Sequence, residues 1–224
     1  MKKSCIFTLI KYSINIFTMS RNKIANEKQK DERRAQILRT SLLLFSRKGL
    51  SATRINDIAR ESGISQGLVY HYYRSKEEIF TDLIRHACEN MVAAARALEQ
   101  MPIAPEQKII RAVTVLLKGL DKNDETSWYY LLIVQAAISE AIPQQARELF
   151  LLSNAVQHEV ITRILEEGQK KGSVKKHPAA DLAMVFWTAV SGLAFGKAIH
   201  GESFHMPDPE ILSAMFLEDR TFSR

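Results

Sequence analysis

From residue 33 to residue 218, apolar side chains recur three and four positions apart, and period-two alternation with β-branched residues is scarce. The pattern predicts helix almost throughout and no strand. Breaks fall at Lys48-Gly49, Ser62-Gly63, Arg74-Ser75, Met101-Pro102, Asp121 to Asp124, Ile142-Pro143, Lys171-Gly172, His177-Pro178 and Met206-Pro207. They leave nine helical stretches, at 33–48, 53–61, 66–73, 76–100, 105–120, 126–140, 144–172, 178–200 and 208–218. The expected fold class is all-α: a short three-helix head at 33–78, joined by a long helix to a larger helical domain at 79–224.

The head carries the sharpest local pattern. Ile37, Leu38, Ser41, Leu42 and Phe45 share one face of the first stretch, with Arg33, Arg34, Arg39 and Arg47 away from it. Thr53 is placed to cap the second helix, whose inward residues are Ile55, Ile58 and Ala59. Gly63 permits a tight turn between two short helices, and the small Ala59 lets them cross closely. Ser65 caps the third helix, where Val69 and Tyr73 point inward. Gln66, Gly67, Tyr70 and His71 are then left on the opposite face; Tyr72 could belong to either side. Ser75-Lys-Glu-Glu78 reads as a capping box that starts the long helix.

Such a helix-turn-helix suits DNA. Gln66 matches the edge of adenine, Gly67 allows close backbone approach, and Tyr70 and His71 can meet phosphates or thymine methyls. Thr53 and Arg54, at a helix start, are placed for backbone phosphate, and Lys76 for another. The charge agrees. The chain of 224 residues carries a net +6, but residues 1–76 hold 16 Lys/Arg against 5 Asp/Glu, while the remainder holds 15 against 20. A basic front on a mildly acidic remainder points to two jobs, the first on nucleic acid.

The run Gly63-Ile-Ser-Gln-Gly-Leu-Val-Tyr-His-Tyr-Tyr-Arg-Ser-Lys-Glu-Glu-Ile-Phe80, preceded by Thr53-Arg-Ile-Asn-Asp-Ile-Ala59, resembles the DNA-binding signature of the TetR (tetracycline-repressor-like) family. The resemblance covers residues 34 to 80 and is only architectural beyond. It implies a homodimer that represses promoters at an inverted repeat and leaves DNA when a small molecule occupies the second domain. It carries base-reading and phosphate positions onto Thr53, Gln66, Gly67, Tyr70, His71 and Lys76. Family members often have Lys or Thr on the recognition helix, where this chain has Gln66 and Leu68, so the operator sequence stays open.

In the second domain, Met91, Trp128, Tyr129, Gln135, Phe150, Asn154 and His158 are expected to line a ligand cavity, with Asn154 and His158 as polar anchors; each also fits plain core. The helices at 144–172 and 178–200 are apolar on several sides. From that, a two-fold four-helix interface is expected, through Ile161, Ile164, Leu165, Trp187, Val190, Ser191 and Ala194. A thick-cored monomer is the alternative.

The remaining features exclude more than they add. A composition of 46% hydrophobic and 25% charged residues argues against disorder and collagen-like repeats. Cys5 and Cys88 make no metal or redox spacing. No nucleophile elbow or phosphate loop appears, and His200 and His205 in HGESFH are too few for a metal site, so neither catalysis nor a cofactor is expected. The uncharged run Leu182 to Gly196 is shorter than a membrane span, which suggests a soluble cytoplasmic protein. Residues 1–32 read as an N-terminal extension; 1–18 read either as sequence upstream of a working start at Met19 or as a secretion signal interrupted by Lys11. Two functions remain open at this point: a ligand-responsive DNA-binding regulator, and a helical binding or enzymatic domain tethered nonspecifically to DNA.

Overall fold

The computed structural model describes residues 29–219 apart from 122–124. The extension up to residue 28 lies outside the described residues. Nine α-helices and no strand occur among those described: α1 (29–52), α2 (Ile55–Glu61), α3 (Gln66–Tyr72), α4 (Lys76–Gln100), α5 (Pro105–Asp121), α6 (Glu125–Ile138), α7 (Gln144–Lys171), α8 (Ala179–His200) and α9 (Pro209–Ala214).

Local chemistry sets most of the boundaries. Ser65 Oγ accepts the Leu68 N–H at 3.2 Å and starts α3; Ser75 Oγ accepts the Glu78 N–H at 3.2 Å and starts α4. Glu78 reaches back past the cap, its Oε2 accepting the Arg74 N–H at 2.6 Å. Gly63 takes φ 64 in the turn, and Gly172 ends α7 in the left-handed region at φ 72. Thr53, expected to cap α2, does not: Arg54 is the cap residue, with its N–H donating to Asp57 Oδ2 at 3.1 Å. Thr53 is buried instead, and its Oγ1 donates to the Gly49 carbonyl at 2.8 Å, closing the turn that Gly49 opens at φ 78.

The last helix is shorter than its periodicity suggests. It stops at Ala214 because the chain turns to bury Phe216 and Leu217, and Leu217 forms an isolated antiparallel bridge with Val174. Two backbone bonds flank the bridge, Lys175 N–H to the Phe216 carbonyl and Glu218 N–H to the Ser173 carbonyl. A single bridge has no period for a sequence pattern to show.

Two apolar cores divide the molecule. The first gathers Ile37, Leu42 and Phe45 of α1, Ile55 and Ile58 of α2, Val69, Tyr73, and Ile79, Phe80, Leu83 and Ile84 of α4. It also takes in Leu132 and Ala136 of α6 and Ala146 of α7. The head is thus not a separate globule: α4 crosses the expected boundary at 78 unbroken, and α6 is seated in the head's core. The second core joins α5, the C-terminal half of α7, α8 and α9 around Phe186 and Phe216, whose ring centroids lie 5.7 Å apart.

By length and composition, 179–203 is long and apolar enough to cross a membrane, further than the uncharged run read from the sequence. Leu182, Ala183, Phe186, Val190 and Ala194 along it pack into the second core.

Candidate nucleic-acid interface and apolar cavity

The back of α3 is fixed by Val69, which is fully buried, and by Tyr73 just beyond its end. Tyr73 O–H donates to Asp82 Oδ2 at 2.9 Å, while Arg34 Nε donates to the Tyr73 oxygen at 3.0 Å and Arg34 Nη2 to Asp82 Oδ2 at 2.8 Å. This triad locks α1, the end of α3 and α4 into one body. Burial pushes the Tyr73 phenol up to about 12, so it remains a donor. For Asp82, burial alone would raise the pKa. The bonds from Arg34 and Tyr73, with the charges of Arg34 and Arg85, outweigh it and hold the carboxyl below its ordinary value.

That depression has a sign. A carboxylate with a lowered folded-state pKa adds stability that is fully present above its unfolded value, near 3.9, and is lost as pH falls through the folded one. Asp82→Asn is therefore expected to cost about 1–2 kcal/mol at pH 7. The gap from wild type should close as pH falls below about 4, as read by urea unfolding at each pH. A gap independent of pH would remove the charged triad from the account.

With its back held, α3 turns Gln66, Gly67, Tyr70 and His71 to solvent, and Tyr70 is half exposed. A Cβ on Gly67 would meet nothing in the chain, so its own packing does not demand a glycine there. Tyr72 is half-buried against the head core, with its ring edge-on to His71 at 5.4 Å. Arg54 is exposed at the start of α2, Ser65 at the start of α3.

Two of the expected phosphate groups are otherwise engaged. The Thr53 hydroxyl is spent on Gly49, as above. Lys76 Nζ donates to three carbonyls, those of Leu50 at 2.8 Å, Ser51 at 3.1 Å and Thr53 at 3.0 Å, which uses all its protons. In this structure Lys76 is a staple between the end of α1 and the start of α4.

Behind the head, α4, α5, α6, α7 and α8 line a half-open cavity of about 630 Å³, within the usual range for drug-sized ligands. The wall from α4 is a run of small residues, Ala87, Ala94, Ala95 and Ala97, with Met91 and Leu98. Ala112, Val115 and Leu116 of α5 face it; Tyr129, Tyr130 and Ile133 close one side and Gln157, Ile161 and Trp187 the other. Polar groups are few. Gln157 Nε2 donates to Ser153 Oγ at 2.9 Å and the Ser153 carbonyl at 3.2 Å, leaving its own oxygen as an acceptor. The Trp187 indole N–H is buried without an acceptor among the described residues. Burial raises the Tyr130 phenol above its ordinary pKa.

Of the seven residues expected at a cavity, Met91 and Tyr129 line this one. Trp128 lines a smaller neighbour of about 240 Å³ between α1, α6 and α8. Gln135 instead donates to the Ser46 carbonyl of α1 at 3.3 Å, and Phe150 and Asn154 do not reach the large cavity. His158 sits in a surface groove with Ala180 and Met184, its ring 6.0 Å from Trp187, and burial lowers its pKa. Reading one helix at a time favoured large and polar side chains. The cavity is marked instead by the alanines of α4, which leave the space, and by α5, whose cavity side was not singled out.

The expected dimer residues also redistribute. Ile161, Ile164, Leu165, Val190 and Ala194 are buried within a single chain's core, and Trp187 is half-buried at the cavity. Only Ser191 is exposed. Among the described residues, the exposed large apolar side chains of these helices are Leu151 and Leu152 on α7, and Met184, Val185, Phe195 and Ile199 on α8.

A basic helix-turn-helix head continuous with a helical domain around an apolar cavity defines a DNA-binding transcriptional regulator. The comparisons narrow the class. Residues 37–83 match the family described as bacterial regulatory proteins, tetR family. That match spans the reading head and the start of α4. It is 25% identical over 166 residues to the HTH-type transcriptional repressor KstR2 of Rhodococcus jostii, covering 72% of this chain and 79% of that one. Its fold matches the MbdR regulator from Azoarcus sp. CIB with TM-score 0.72, at 18% identity, over 82% of this chain and 96% of that one. It also matches a transcriptional regulator from Saccharomonospora viridis crystallised with choline, with TM-score 0.68 and 20% identity, over 84% and 99% of the two chains.

Proposed function

We propose that this regulator is a cytoplasmic repressor that binds an inverted-repeat operator as a homodimer and releases it when a small, largely apolar molecule fills the cavity. The observation that carries the reading is the sharing of one core by the reading head and a wall of the cavity. Leu132 and Ala136 of α6 pack with Phe45 and Phe80, while Tyr129, Tyr130 and Ile133 of the same helix face the cavity. A ligand that moves α6 moves the seat of the head with it, which supplies a two-state element that both sites bias. KstR2, a relative over most of its length, is itself a repressor. Dimerisation suits the exposed apolar side chains of α7 and α8, and two heads on a two-fold axis suit a palindrome.

A gel shift on the gene's own upstream region tests the proposal. A short inverted repeat should be held orders of magnitude more tightly than random DNA, and compounds that enter the cavity should release it. Equal affinity for both DNAs at moderate salt would show a nonspecific tether. Two variants divide the labour on the head. Gln66→Ala should flatten base preference at one position of each half-site by about 1–3 kcal/mol while leaving thermal stability unchanged. Lys76→Ala should weaken binding to every sequence and, because three carbonyls lose their donor, also lower the melting temperature. A Lys76→Ala protein as stable as wild type would return Lys76 to a purely phosphate-facing role.

A further inference from the structure

The cavity's ionisable lining is of one sign. Among the described residues, Arg111 on α5 is the sole Lys, Arg, Asp or Glu that lines it. Among the described residues Arg111 makes no ion pair or hydrogen bond, whereas Arg34, Arg60, Arg85 and Arg163 each hold a carboxylate. The acidic groups of the facing helix α4 are directed elsewhere. Glu99 is bound by Arg163 of α7, and Glu89 is exposed beside His86. Arg111 and Val115, one helical turn apart, are both exposed and mark the mouth, while Gln157, Ile161 and Trp187 close the far side.

We propose that the ligand is an amphipathic monoanion, with its apolar body among the alanines of α4 and a terminal carboxylate paired with Arg111. An unpaired guanidinium at the edge of an apolar wall recognises a carboxylate by a two-pronged, charge-assisted bond, and no facing acid competes for it. A cationic head would meet Arg111 as a like charge. This inference rests on the reading of the cavity as the effector site.

The test uses the full chain and its two tryptophans, of which Trp187 lines the cavity and Trp128 the neighbouring one. Fluorescence is titrated with one ten-carbon chain in three forms: decanoate, 1-decanol and decyltrimethylammonium. Decanoate should bind about tenfold more tightly than the alcohol, as one charge-assisted bond is worth, and the cation least. In Arg111→Gln that preference should shrink to near parity while the alcohol binds as before. Ala94→Trp, on an exposed part of the wall, should weaken all three together. Equal binding of acid and alcohol by wild type, tightest binding of the cation, or an acid preference that survives Arg111→Gln overturns the monoanion and leaves the cavity reading standing. Indifference of wild type to all three overturns both.

Discussion

Phe195→Glu is expected to leave the helical content of the protein unchanged and to convert the proposed dimer to a monomer. Phe195 is 53% exposed on α8, so a carboxylate there disturbs no packing within the chain. Across a two-fold axis, α8 would bring that side chain near Met184 and Ile199 of a second copy, and two facing carboxylates would have to lose water at the interface. Affinity for an inverted repeat should fall by about a hundredfold or more, because each head then binds its half-site without the effective concentration the partner supplies. Binding to an isolated half-site should be unaffected. Sedimentation velocity gives the first result and a gel shift with full and half sites the second. A variant that remains dimeric would move the interface off this face of α8.

Phe80→Ala is expected to be severely damaging. Phe80 is fully buried, its ring edge-on to Phe45 with centroids 5.6 Å apart. Removing a buried phenyl group costs about 3–5 kcal/mol through lost transfer energy and the cavity left behind. That is comparable to much of the stability of an ordinary domain. Here the core in question spans α1, α2, α3, α4 and α6, so the loss should be global. One unfolding transition with a lowered midpoint, by circular dichroism and by tryptophan fluorescence alike, is the expected result, with DNA binding and ligand response failing together. Two separated transitions would show the head melting alone.

The helices and the outward face of α3 could be read from the chain because both rest on local rules. Ser65 and Ser75 start their helices, Gly63 makes the turn, and Val69 and Tyr73 fix the phase that leaves Gln66, Gly67, Tyr70 and His71 outside. What could not be read depends on which helix faces which. Gln135 looks like a polar group in an apolar stretch, yet it serves Ser46, 89 residues away. Lys76 looks like a free cation until the carbonyls of Leu50, Ser51 and Thr53 are seen around it. The burial of Ile161, Ile164, Leu165, Val190 and Ala194 within their own chain was hidden for a related reason. On a helix apolar nearly all round, such as α8, periodicity cannot tell the side covered by its own chain from the side left open. The alanines of α4 offered a usable sign, since a run of small residues on a packed helix leaves room that something else must occupy.

The seat of α6 also bears on how such a regulator can be rebuilt. The head looks like a cassette, three short helices ahead of a long one, and an obvious fusion would cut within α4 and attach it to a different sensor. Such a graft would strip Leu132, Ala136 and Ala146 from the core they complete and leave the flank of Phe45 and Phe80 open to water. A transplantable unit would have to carry its own copy of that sixth helix, or a designed surrogate for it. The sequence is modular at the level of motifs, whereas the folded protein is not.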